Sequence, residues 1–161
     1  MNRETLDLLA MDVIKKLQRK SLTVATAESI TGGGLSQALT AIPGSSAVFE
    51  GGIVTYSDSS KRKFLAVPTR ILNKESAVSE IVAATMAQEV RKSFKTDFGI
   101  STTGVAGPGK AYGQKAGTVW IAIDGKQGTT TICLDLRGSR AEIRHATIES
   151  ALATFARILI P

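Results

Sequence analysis

Short apolar runs, each too brief for a helix of its own, alternate along this chain with longer stretches whose apolar residues recur every three or four positions. Residues 3 to 20 place Leu6, Leu9, Ala10, Val13, Ile14 and Leu17 on one stripe, the pattern of an amphipathic helix. SLTVATA (21–27) reads as a buried strand, and residues 31 to 41 as a helix after a glycine-rich start. The run SAVFEGGIVTY carries a strand over 47–56, followed by a short helix over 59–65 that Pro68 closes. Ile81, Val82, Ala84, Met86 and Val90 predict a helix over 79–95, with Ser79 as its cap. DFGISTTG holds a strand, and GTVWIAID and GTTTICLDL form a hairpin turning at Asp124-Gly125. Ser139-x-x-Glu142 opens a last helix over 139–158 with a capping box. Strands that alternate with helices and then end in an antiparallel pair predict an α/β fold. The expected architecture is a three-layer α/β/α sandwich with a mixed sheet, in a single domain over residues 1–161.

Composition narrows the function classes. With 161 residues, 43% hydrophobic and 21% charged, the chain suits one ordinary globular domain. No run approaches the roughly 18 apolar residues that span a bilayer, so no membrane association is expected. Acids interrupt the apolar positions of the first twenty residues, which is unlike a signal or transit peptide. A single cysteine, Cys133, excludes an intramolecular disulfide and suits a reducing cytoplasm. One cysteine and one histidine together exclude a zinc site built only from those residues. The net charge of +6 raises the question of nucleic acid, but Lys and Arg are spread from Arg3 to Arg157 and aromatics are only 5%. That is too few for a stacking platform, so no nucleic-acid partner is expected. A small anionic substrate would use such charges equally well.

Two motif matches fail their context. Gly104 to Lys110 fits GxxxxGK, yet Ala111 stands where a phosphate loop needs a hydroxyl for magnesium, and no helix follows. Ser60-x-x-Lys63 matches SxxK without the companion motifs of penicillin-binding enzymes. The sole histidine, His145, reads as a partly exposed residue of the last helix, so a Ser-His-Asp triad is not expected. Trp120 and Cys133 read as core. A stronger pattern is TAESITGGG (26–34), a serine and three glycines where a strand hands over to a helix. If Ser29 is a nucleophile, its base is not histidine, and Lys61, opening the run KRK, is the candidate. Desolvation and cationic neighbours lower a lysine's pKa toward neutrality. TAESITGGG, GGIVTYSDSSK and STTGVAGPG each leave a predicted strand and couple hydroxyls to glycines. In an open α/β sheet such loops meet at the carboxyl ends of parallel strands.

The chain also resembles the CinA C-terminal domain family, the nicotinamide-nucleotide amidohydrolases. It reads TAESITGG, PGSSAVFEGGIVTYSDSSKRKFLAV, AVSEIVAATMA, TGVAGPGK, GTVWIA and GSRAEIR in the family's order, over nearly its whole length. The resemblance implies a cytoplasmic, metal-free enzyme without cofactor that hydrolyses the carboxamide of nicotinamide mononucleotide to nicotinate mononucleotide and ammonia. It implies Ser29 as nucleophile and Lys61 as base. It places Ser46 and Tyr56 near that dyad, Thr103 and Gly104 in the TG of its glycine loop, and Arg140 and Arg144 as its two late arginines. On that reading the N–H groups of Gly32, Gly33 and Gly104 hold the oxyanion, the two arginines pair with the phosphate, and Glu28 orients the loop. The substrate is then a small nucleotide, and homo-oligomer formation is left open. Many relatives fuse this module to a larger N-terminal domain, which this chain is expected to lack. Ile30 replaces the family's cysteine, Lys110 and Ala111 interrupt its glycine run, QKAG stands where relatives have KPVG, and Ser139 replaces an acid. The alternative is a catalytically silent nucleotide-binding module of the same fold.

Overall fold

A central strand, β1 (Val24–Glu28), is buried at every position and lies between two parallel neighbours, β2 (Phe49–Val54) and β3 (Phe98–Gly104). β4 (Thr118–Gly125) runs antiparallel to β3, and β5 (Gly128–Asp135) antiparallel to β4, giving the order β2-β1-β3-β4-β5. The sheet is therefore mixed. The structure is a computed structural model and describes residues 3–160; residues 1, 2 and 161 of the expected domain lie outside the described residues.

Helices cover both faces. On one, α1 (Arg3–Lys20), α2 (Gly34–Thr40) and α6 (Arg140–Ile158) pack together. Their Val13, Leu17, Leu35, Leu39, Leu152 and Phe155 meet Val24, Ile100, Val119 and Ile121 of the sheet. On the other lie α3 (Asp58–Leu65), α4 (Thr69–Glu75) and α5 (Glu80–Phe94). Here Val82, Met86 and Val90 pack on Ala25, Ala27, Leu65 and Leu72. Alternation along β1 sends Val24 to the first layer and Ala25 and Ala27 to the second, as period-two geometry requires. Chain leaving β1 continues into α2 on one face, and chain leaving β2 into α3 on the other. That divergence opens a crevice at the carboxyl ends of the parallel strands. None of the described helices is long and apolar enough to cross a membrane.

Three expectations need correcting. Pro68 does not close a helix but opens one: it is the N-cap of α4, at φ −62°. α3 ends at Leu65, as expected, on Ala66 as its C-cap at positive φ, with the Ala66 N–H donating to the Lys61 carbonyl. A seven-residue helix burying only Leu72 is too short to show a period. The hairpin turns at Lys126-Gln127, because Gly125 pairs with Gly128. Asp124 stays in the strand, where its carboxylate accepts from Thr129 Oγ1 at 2.6 Å and from Arg91 at 3.2 Å. Cys133, read as core, is exposed on the edge strand β5, while Trp120 is half-buried against Ala83 and Ala87 of α5.

Candidate active site

Ser29 follows the last residue of β1, and its N–H continues the parallel ladder by donating to the Thr102 carbonyl at 2.9 Å. The loop behind it is tied down by Glu28, which is fully buried. One Glu28 oxygen accepts from Thr31 Oγ1 (2.6 Å), Gly33 N (3.0 Å) and Leu35 N (2.9 Å). The other accepts from Ser36 N (2.7 Å) and Ser36 Oγ (2.6 Å). The carboxylate thus takes up donors at the start of α2 that the helix itself leaves unpaired. Its role is to fix the loop, in keeping with the sequence reading.

Across the crevice, α3 starts at Ser57, whose hydroxyl caps it in a reciprocal box with Ser60. That register turns Lys61 inward and leaves Arg62 and Lys63 exposed. Lys61 is 1% exposed, and its Nζ donates to Ser29 Oγ at 2.9 Å and to the Thr55 carbonyl at 2.8 Å. Burial lowers its pKa from 10.5 to about 8, against the opposing pull of the Asp58 carboxylate. The cause is desolvation rather than the like-charged neighbours of the KRK run.

A hollow of about 140 Å³ opens beside the pair, lined by Ser29, Tyr56, Gly104, Tyr112 and Arg140 among others. Arg140 spans its mouth: NH1 donates to the Gly107 carbonyl at 2.7 Å and NH2 to the Tyr56 hydroxyl at 2.6 Å. A larger hollow of about 680 Å³ lies at the opposite end of the sheet, between the β4–β5 turn and the last residues of α6. It is lined by neither Ser29 nor Lys61, whereas Ser29 lines the smaller one.

Other residues singled out from the sequence lie elsewhere or are otherwise engaged. Ser46 sits on a short 3-10 turn before β2, so a six-residue strand, about 20 Å long, separates it from the end where Ser29 stands. The Gly32 N–H donates to the Ser29 carbonyl at 3.1 Å and the Gly33 N–H to Glu28, so both are turned into the loop instead of toward a substrate. Of these three glycines, Gly104 is the one that lines the hollow. Thr103 is 1% exposed, with its hydroxyl on the Ala77 carbonyl at 2.7 Å. Arg144 donates to the carbonyls of Ile30 (3.1 Å) and Thr31 (2.9 Å), which makes it a brace for the loop that follows Ser29. His145 faces Glu149 at 3.4 Å on α6, away from the hollow. Sequence reasoning passes over Thr55, which contributes only a backbone carbonyl, and Tyr112. The one signal for Tyr112 is an aromatic inside the glycine loop that follows β3.

This geometry can be set beside known proteins. The profile of the CinA C-terminal domain matches residues 6–159. A CinA-like protein of Parasynechococcus marenigrum is 43% identical over 158 residues, covering 96% of this chain and 38% of that protein. A competence-damage inducible protein of Streptococcus pneumoniae is 39% identical over 153 residues, covering 94% and 37%. The chain thus spans less than two fifths of the length of these curated relatives. Among solved structures, the competence/damage inducible protein CihA of Agrobacterium tumefaciens superposes with TM-score 0.92 at 36% identity, covering 98% of this chain and 96% of that one. The competence damage-inducible protein A of Klebsiella pneumoniae gives 0.94 at 33% identity, covering 96% of each. Matched almost end to end in sequence and in fold, the chain belongs to the CinA C-terminal domain family.

Proposed function

We propose that this protein is a metal-free amidohydrolase that converts nicotinamide mononucleotide and water to nicotinate mononucleotide and ammonia. The observation that carries the reading is the contact between Ser29 Oγ and a buried lysine amine whose pKa is about 8. A hydroxyl is a poor nucleophile until a base takes its proton, and near neutrality a lysine serves only when desolvation has lowered its pKa. Neutral Lys61 accepts the Ser29 proton as Oγ bonds to the amide carbon. The resulting ammonium passes that proton to the amide nitrogen as the C–N bond breaks and ammonia leaves. Water then attacks the acyl-serine, giving up a proton to Lys61, which returns it to Ser29 Oγ as the carboxylic acid departs and loses its remaining proton to solvent. Gly104 lines the hollow, which supports its backbone as the partner of the developing oxyanion.

The hollow is below the roughly 300 Å³ at which pockets for whole drug-sized ligands begin. It accepts the amide and its ring, and leaves ribose and phosphate at the rim. Arg140 at that rim is the partner for the phosphate, exchanging the Gly107 carbonyl for a charge-assisted bond. Arg144, spent on the loop, is not.

Incubation with nicotinamide mononucleotide tests the reading. The native protein is expected to release ammonia with chelator present, and Ser29→Ala and Lys61→Met to lower kcat by about 10³-fold or more. Binding of the nucleotide with no ammonia from native protein would replace this reading with a silent nucleotide-binding module.

A further inference from the structure

Resting on that reading, the loop after β3 supports a second step. Residues Ala111 and Gln114 exchange both backbone hydrogen bonds, Ala111 N to Gln114 O at 3.0 Å and Gln114 N to Ala111 O at 2.9 Å. Between them stand Tyr112 at φ +53° and Gly113 at φ +73°. Two left-handed residues inside such a pair make a type I′ hairpin turn. Its first central position favours Asn, Asp or Gly, because a bulky side chain crowds the backbone at positive φ. Tyrosine is therefore costly there, and the cost points to a role for the side chain.

The side chain is at the site. Tyr112 lines the hollow with Ser29 and Tyr56, and both rings are about half exposed. Burial, and after it the Asp58 carboxylate, raise the pKa of its phenol, which is therefore neutral near pH 7. The cations nearby, Arg140 at the rim and Lys61 when protonated, would repel a positively charged ring. The two tyrosine rings that line the hollow offset them, since aromatic rings attract cations.

We propose that Tyr112 is a specificity residue: from the tip of this strained turn it completes, with Tyr56, an aromatic lining that selects planar cationic rings over neutral ones. The lining holds the ring of an oxidised pyridine nucleotide and discriminates against reduced or carbocyclic analogues.

The test compares 1-methylnicotinamide, a cationic pyridine amide, with neutral benzamide by ligand-observed NMR titration of native, Tyr112→Phe and Tyr112→Asn proteins. The native protein is expected to prefer the cation, and Tyr112→Phe to keep that preference. Tyr112→Asn is expected to weaken the cation by about tenfold and benzamide far less. Asparagine suits the turn, so the melting temperature of that variant is expected to hold or rise, separating loss of binding from loss of fold. Equal weakening of both probes, no weakening, or no preference in the native protein overturns the proposal. Direct binding needs no turnover: Tyr112-dependent cation binding without ammonia release sinks the hydrolase alone, and ammonia release without cation preference sinks this inference alone.

Discussion

A lysine with 1% of its surface exposed carries its charge only against a desolvation penalty, and on the proposed mechanism that penalty has a kinetic use at Lys61. With a pKa of about 8, roughly a tenth of the protein holds the amine neutral at pH 7. Because the neutral form is the proposed base, kcat/KM is expected to rise about tenfold per pH unit below pH 8 and to level off above it. A pH profile of ammonia release checks this, and a falling rate across that range would contradict it. The sequence shows the residue types of this pair but not its depth, since Arg62 and Lys63 carry the same local signature and stay in water. Only the capping register of α3 and the packing beneath it single out Lys61.

Among the elements, α5 bears most directly on the sheet, lying across all five strands. Such close packing needs a strand position without a side chain. A Cβ on Gly99 would run into the Ala87 carbonyl oxygen and stand 2.9 Å from the Arg91 Cβ. Backbone cannot rotate aside as a side chain can, so α5 would have to lift from β3. Gly99→Ala is expected to destabilise the fold by about 2 kcal/mol, lowering the melting temperature by about 4–8 °C. Thermal unfolding measures it, and an unchanged melting temperature would show the helix sitting loosely. At this scale the sequence is most legible where a signal is complete within a few residues. Ser79 caps α5 and the Ser139–Glu142 box caps α6, both as expected. α4 escapes because a single buried residue makes no period, and the hairpin turn is misplaced because Asp124-Gly125 is itself a good turn signal.

For the molecule as a whole, the lysine proposed as the base works against the fold. Between pH 8 and 10.5 the unfolded chain holds a proton on Lys61 that the folded protein has given up, so unfolding takes up a proton and stability rises with pH. Native protein is expected to gain up to about 3 kcal/mol across that window relative to Lys61→Met. Groups common to both proteins, Tyr112 among them, cancel in the difference between their melting curves, and parallel curves would refute the assignment. The expected α/β class and helix–strand order, and the meeting of the loops after β1, β2 and β3 at the carboxyl ends of those strands, follow from patterns that neighbouring residues complete among themselves: apolar period, cap and turn. That Gly51 and Gly52 lie within β2 rather than in its loop does not. Nor does the occupation of each donor. The carbonyls that Arg144 braces lie 114 and 113 positions back in the chain, Thr103 is tied to Ala77, and the Gly33 N–H is claimed by Glu28. A hydrogen bond belongs to whichever acceptor packing brings within about 3 Å, and that distance exists only once the layers have closed.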